Sequence, residues 1–152
     1  MPTEEMTQKE IEQFLTCARV GRIGIVLENE QPYVVPVGYA YTKGKIFFHT
    51  CNKGLKMNAL RRNENVCFEV DEALSDASMF KSVIAFGTAE IISDKAKMIP
   101  YLKKLVDKYL APESFDKYMS KPERNKEKEL EAVRICVIKP KKITGKKWVM
   151  KG

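Results

Sequence analysis

A chain of 152 residues, 44% hydrophobic and 31% charged, has the size and composition of one soluble domain, read here as a single unit over 1–152, with a core that needs no metal or disulfide staple. The net charge of +7 raises nucleic acid as a partner, but the pairs Lys103-Lys104, Lys141-Lys142 and Lys146-Lys147 are dispersed rather than interleaved with aromatics. They read as solvated surface, and no nucleic acid is expected.

The N-terminus, Met1-Pro2-Thr3-Glu4-Glu5, is acidic and polar, unlike a secretory signal. No apolar run approaches the ~18 residues of a membrane span, so a cytoplasmic protein without membrane contact is expected. Thr7-Gln8-Lys9-Glu10 fits a capping box, and Ile11, Phe14, Leu15 and Ala18 follow at helical spacing. Gly21 is the expected helix stop. Arg22 to Glu28 alternates as a strand, with Ile23, Ile25 and Leu27 on one face. Asn29-Glu30-Gln31 is a tight connection, and Pro32 to Tyr41 a strand. Pro36 inside it denies the ladder a donor, which predicts an edge, a bulge or a non-strand partner. Thr42-Lys43-Gly44 turns the chain into a strand over Lys45 to Thr50.

A short helix is predicted over Lys53 to Arg62, a strand over Val66 to Asp71, and a loop over Glu72 to Met79. Phe80 to Ile92 is a long strand with Gly87 as its bulge or bend. Asp94 caps a helix running to about Leu110, in which Pro100 forces either a late start near Ile99 or a kink. Pro122 to Glu131 reads as a charged surface helix. Ala132 to Lys139 and Ile143 to Met150 read as two closing strands. The sum is an α+β fold: an antiparallel barrel of six to seven strands with peripheral helices. The four cysteines, Cys17, Cys51, Cys67 and Cys136, form no C-x-x-C pair and His49 is the one histidine, so no metal site is expected. Cys67 and Cys136 read as small buried apolar residues.

The segment Phe47-Phe48-His49-Thr50-Cys51-Asn52-Lys53-Gly54-Leu55-Lys56-Met57-Asn58-Ala59-Leu60 ends a strand in polar residues, turns and opens a helix. Helix N-termini offer unpaired N–H groups to anions. Lys53 and Lys56 fall in or beside the first turn, where the dipole disfavours cations; an anion between them relieves that conflict, and Thr50 adds a hydroxyl. Two readings stand: a phosphate site, or two surface lysines on a short helix.

Five pieces in order carry a resemblance: Gly21-Arg22-Ile23-Gly24; Pro32-Tyr33-Val34-Val35-Pro36-Val37-Gly38-Tyr39; Ile46 to Leu60; Val66-Cys67-Phe68-Glu69-Val70; and Ser82-Val83-Ile84-Ala85-Phe86-Gly87-Thr88-Ala89. Together they resemble the pyridoxamine 5'-phosphate oxidase-like FMN-binding split barrels, nearest to the small nitroimidazole-resistance (Nim-type) flavoproteins. The resemblance is good over residues 7 to 92 and looser at Ile143-Thr144-Gly145-Lys146. It implies a split β-barrel homodimer with FMN at the interface. Carried over by position, Thr50, Lys53 and Lys56 hold the FMN phosphate with His49 beside it. The backbone of Val35, Pro36 and Val37 lines the isoalloxazine ring, Ser82 approaches the flavin from the same or the partner subunit, and Trp148 covers the ring or is a plain core or interface residue. Where many relatives place an arginine near the phosphate, this chain has Lys53, a point charge without the bidentate fork.

The implied activity is that of an FMN-dependent oxidoreductase, reducing a small electrophile such as a nitroaromatic with electrons from a reduced nicotinamide. The alternative is a non-catalytic carrier or sensor of flavin, haem or deazaflavin. His49 is the candidate for catalytic proton delivery, against a plain hydrogen-bonded histidine at a strand end.

Overall fold

The computed structural model describes residues 3–150. After a two-residue strand β1 (Glu4–Glu5), helix α1 spans Gln8–Cys17, and strands β2 (Val20–Val26), β3 (Pro32–Gly38), β4 (Ala40–Thr42) and β5 (Lys45–Cys51) follow. Then come α2 (Leu55–Arg62), β6 (Asn65–Ala73), β7 (Met79–Ile92), α3 (Lys95–Leu110), α4 (Phe115–Met119), α5 (Lys126–Ala132) and β8 (Val133–Val149). All strand pairings are antiparallel, in the order β3-β2-β6-β7-β8-β5-β4, with β1 joined to β8. The sheet curls into an open half-barrel whose ends are β3 and β4, the split barrel expected. Pro36 therefore lies on an edge strand, where its missing N–H costs no ladder bond.

Two apolar layers hold the fold. Inside the curl, Ile23, Phe68, Val70, Val83, Phe48 and Ile138 meet Phe14 and Leu15 of α1 and Leu60 of α2. On the outer side of β5 and β8, Phe47, Ile135 and Val137 meet Met98 and Leu105 of α3 and Leu130 of α5. Period-two alternation makes this possible: odd and even residues of β5 and β8 serve different cores.

Several sequence expectations are corrected. Gly21 does not stop α1, which ends at Cys17 with Ala18 as C-cap. It sits in β2, where an added Cβ would come within 2.2 Å of the Phe68 ring, so the position is reserved for close packing. The two closing strands are one, because β8 runs through Pro140. Pro140 faces Gly87 at the register shift of β7, and a Cβ on Gly87 would come within 2.2 Å of the Lys139 carbonyl oxygen. The register skips Lys141, so the extra residue of the bulge lies on β8 next to Pro140. The predicted 72–79 loop shortens, since β6 extends to Ala73. Helix α3 starts at Lys95 with its Asp94 cap and continues through Pro100, and α4, capped by Ser114, was unforeseen. Cys67 is half-buried rather than buried, whereas Cys136 is fully buried, and that burial pushes its thiol up to about 12.

Candidate functional site

The turn after β5 is fixed from two sides. Asn52 N–H donates to the Ala132 carbonyl at 2.9 Å, and the Arg61 guanidinium donates to the Asn52 carbonyl at 2.9 Å. Gly54 then enters α2 at φ 121°, ψ 179°, a conformation essentially confined to glycine. The first intrahelical bond runs from Asn58 N–H to the Gly54 carbonyl at 3.0 Å. The N–H groups of Leu55, Lys56 and Met57 thus precede any intrahelical acceptor. The other four helices have a capping side chain, from Thr7, Asp94, Ser114 and Asn125; α2 has none and no acidic residue in its first turn.

Beside this open terminus lies a cavity of about 690 Å³ between the sheet and the layer α3 to α5. His49, Thr50, Cys51 and Lys56 form one wall, and Gly38, at the end of β3, reaches its rim. The opposite wall is apolar and aromatic, with Leu105, Tyr109, Phe115 and Leu130 among its residues. Lys56 lies with its ammonium 5.5 Å from the Phe48 ring centroid. Thr50 is nearly buried, with 9% of its surface exposed. His49 lines the cavity and is an exposed residue. Loss of hydration, and secondarily the Lys56 charge, push its pKa below the ordinary value and favour the neutral imidazole.

The rim at Gly38 is pinned by α3. Tyr39 N–H donates to the Tyr109 hydroxyl at 2.8 Å, that hydroxyl donates to the Arg19 carbonyl, and the Lys108 ammonium donates to the Tyr39 carbonyl at 3.0 Å. These bonds tie the end of β3 to the α3 wall of the cavity.

The structure thus brings His49, Thr50 and Lys56 together. Lys53 lies exposed in the turn ahead of α2, outside the cavity, so the two lysines do not share a helix face. Val35 and Val37 pack inward against the barrel core, leaving the unpaired backbone of edge strand β3 as the part free to meet a ligand. Pro36 belongs to a cross-strand row with Arg22, Glu69, Ile84 and Thr144 on the outer sheet face. Ser82, opposite Asp71 and Lys146, and Trp148, opposite Phe80, share that outer face.

Sequence reading missed two features. One is the charged group at the centre of the outer face, where Arg22 meets Asp71 at 2.6 Å and Glu69 at 3.5 Å. Partial burial and then the neighbouring Asp71 carboxyl raise Glu69 to about 7, with Arg22 opposing. The period-two spacing of Glu69 and Asp71 was the available signal. The other is Arg124, which lines the cavity from the connection between α4 and α5; no local pattern marks it. Among the described residues, no three or more His, Cys, Asp or Glu side chains are grouped to hold a metal ion, and no helix is long and apolar enough to cross a membrane.

An open, curled antiparallel sheet with a polar corner at a strand-to-helix turn defines a split-barrel protein. Residues 7–147 match the family model described as pyridoxamine 5'-phosphate oxidase, and the chain belongs to that family. No curated protein matches the sequence. Among solved structures, it is similar to a protein assigned to 5-nitroimidazole antibiotic resistance from Bacteroides thetaiotaomicron, at 21% identity and TM-score 0.80, covering 96% of this chain and 87% of that one. It is similar to a FAD-binding protein from Mesorhizobium loti, at 24% identity and TM-score 0.73, covering 97% and 99%. It is also similar to the flavocytochrome Anf3 from Azotobacter vinelandii, at 24% identity and TM-score 0.75, covering 99% and 70%. At these identities the likeness establishes the fold.

Proposed function

We propose that this chain is an FMN-binding oxidoreductase that reduces a small electrophile, such as a nitroaromatic compound, with electrons from a reduced nicotinamide. The observation that carries the cofactor is the corner where Lys56, in the first turn of the uncapped helix α2, and Thr50 line one cavity. Free N–H donors, the positive end of a helix dipole, an ammonium and a hydroxyl are the donor set a phosphate dianion needs. Lys53, exposed nearby, adds positive charge without contact.

Bound FMN would supply the redox chemistry, and the protein its binding, orientation and electrostatic setting. The free backbone groups of β3, ending at Gly38 on the cavity rim, are the candidates for the polar edge of the ring. Neutral His49 can hold a proton on one imidazole nitrogen and pass it to a bound acceptor. The flavin-type names among the structural neighbours support this reading.

The outer sheet face supports a homodimer. It leaves Val34 60% and Phe86 47% exposed, with Phe80, Ile84 and Trp148 half-buried around the Arg22, Glu69 and Asp71 group. An apolar face with a central ion group suits a self-complementary interface, and Ser82 and Trp148 would then meet the partner and its flavin edge.

The test is direct. Purified protein should show flavin absorption, sediment as a dimer, and oxidise reduced nicotinamide when a nitroaromatic is added. A colourless preparation that takes up no FMN on titration rejects the cofactor. Flavin uptake without turnover rejects the enzyme and favours a carrier.

A further inference from the structure

The cavity is longer than its phosphate corner. Helix α5 has seven residues, about 10 Å at 1.5 Å each. Its C-terminal end is tied to the corner through Asn52, whose side chain donates to the Glu131 carbonyl at 3.3 Å. Its N-terminal end adjoins Arg124. The two permanent cations that line the cavity, Lys56 and Arg124, thus come from segments at opposite ends of α5, and apolar side chains line the cavity with them.

Arg124 is held in place. Its guanidinium carbon lies 4.1 Å from the Tyr118 ring centroid, one Nη donates to Glu129 at 2.6 Å, and the other donates to the Tyr118 hydroxyl. Its side chain is 32% exposed. A guanidinium has five N–H donors in a fixed fork, and these contacts use two. The Tyr118 ring favours the cation beside it, and weak hydration makes an arginine cheaper than a lysine to desolvate against apolar surroundings.

We propose that Arg124 is the recognition point for a second ligand of this cavity: a flat, largely apolar molecule carrying one carboxylate. Its body lies against Tyr109, Leu110 and Met119, lining residues that keep exposed surface, and its carboxylate takes the place of Glu129 on the guanidinium. Glu129 is then a built-in competitor, which keeps the arginine paired when the site is empty. This deepens the proposed function by naming the substrate class, and rests on that reading only in setting a flavin at the Lys56 corner.

The experiment uses the full chain, flavin-free and FMN-loaded, with para-nitrobenzoate as probe and para-nitrotoluene as its uncharged analogue, measured by calorimetry. Wild type should bind the carboxylate about 10-fold tighter than the neutral probe, the scale of a charged hydrogen bond. Arg124→Gln should erase that preference and leave FMN affinity unchanged. Glu129→Gln, which removes the competitor, should tighten carboxylate binding. A merely structural pair would weaken binding in both variants, so the opposite signs are diagnostic even if one variant is less stable. Equal binding of the two probes by wild type overturns the proposal. So does an Arg124→Gln chain that loses FMN instead of the carboxylate preference. Carboxylate preference that depends on Arg124 in a chain unable to bind FMN would uphold this site and reject the cofactor reading.

Discussion

Helices α1 and α2 both pack into the barrel interior, but they begin in opposite ways. At α1, the Thr7 hydroxyl accepts from Glu10 N–H at 3.2 Å, and the Glu10 carboxylate accepts from Thr7 N–H at 3.0 Å. Lys147 and that backbone bond hold the Glu10 carboxyl down at about 2. The helix answers its own dipole with its own charge. At α2 there is no capping side chain, no acidic residue in the first turn, and a glycine at the cap in a conformation other residues avoid. One terminus is closed by its own side chains, whereas the other has no side-chain cap.

The strongest way to break the contrast is Lys56→Ala. It should weaken FMN binding by about 1.5–3 kcal/mol, the scale of a hydrogen bond to a charged group, in a flavin-fluorescence titration. Gly54→Ala forces a side chain into the backbone conformation entering α2 and should cost about 1–3 kcal/mol of stability in urea unfolding. Thr7→Ala removes the closed cap and should cost about 1 kcal/mol with FMN affinity unchanged. Both cap positions would thus matter for folding, while only the first turn of α2, at Lys56, would also matter for ligand.

The smallest effect concerns pH. Glu69 is raised in the folded chain to about 7, so the fold binds its proton more tightly than the unfolded chain does. That stabilisation is fully present below the ordinary carboxyl pKa and fades as pH rises through about 7. Melting temperatures measured across this range should fall more for wild type than for Glu69→Gln, by a few degrees at most because the side chain is partly solvated.

Local rules found much of this molecule. The capping box at Thr7 and the Asp94 cap are settled by neighbours in sequence and read correctly, while Gly87 and Pro36 were marked as irregular positions without deciding between a bulge, a bend or an edge. What failed depended on distant partners. Gly21 carries a helix-stop signal, but the Phe68 ring decides its role. Pro140 looks like a strand break until Gly87 lies opposite it. The corner at Lys56 was legible because strand end, turn and helix start are contiguous, whereas the start of α2 after Gly54 removed Lys53 from it. Arg124 could not be foreseen, because the cavity it faces exists only once α3 to α5 fold back over β5.

The central claim, a phosphate dianion against Lys56 and the open start of α2, is tested most directly at His49. As the one histidine of the chain, it gives an unambiguous NMR titration. Lys56 contributes to its depressed pKa, and a dianion on Lys56 reverses that contribution. Saturating FMN should therefore raise the His49 pKa, while riboflavin, which has the ring without the phosphate, should not. A His49 pKa that stays where it is with FMN bound would contradict the account.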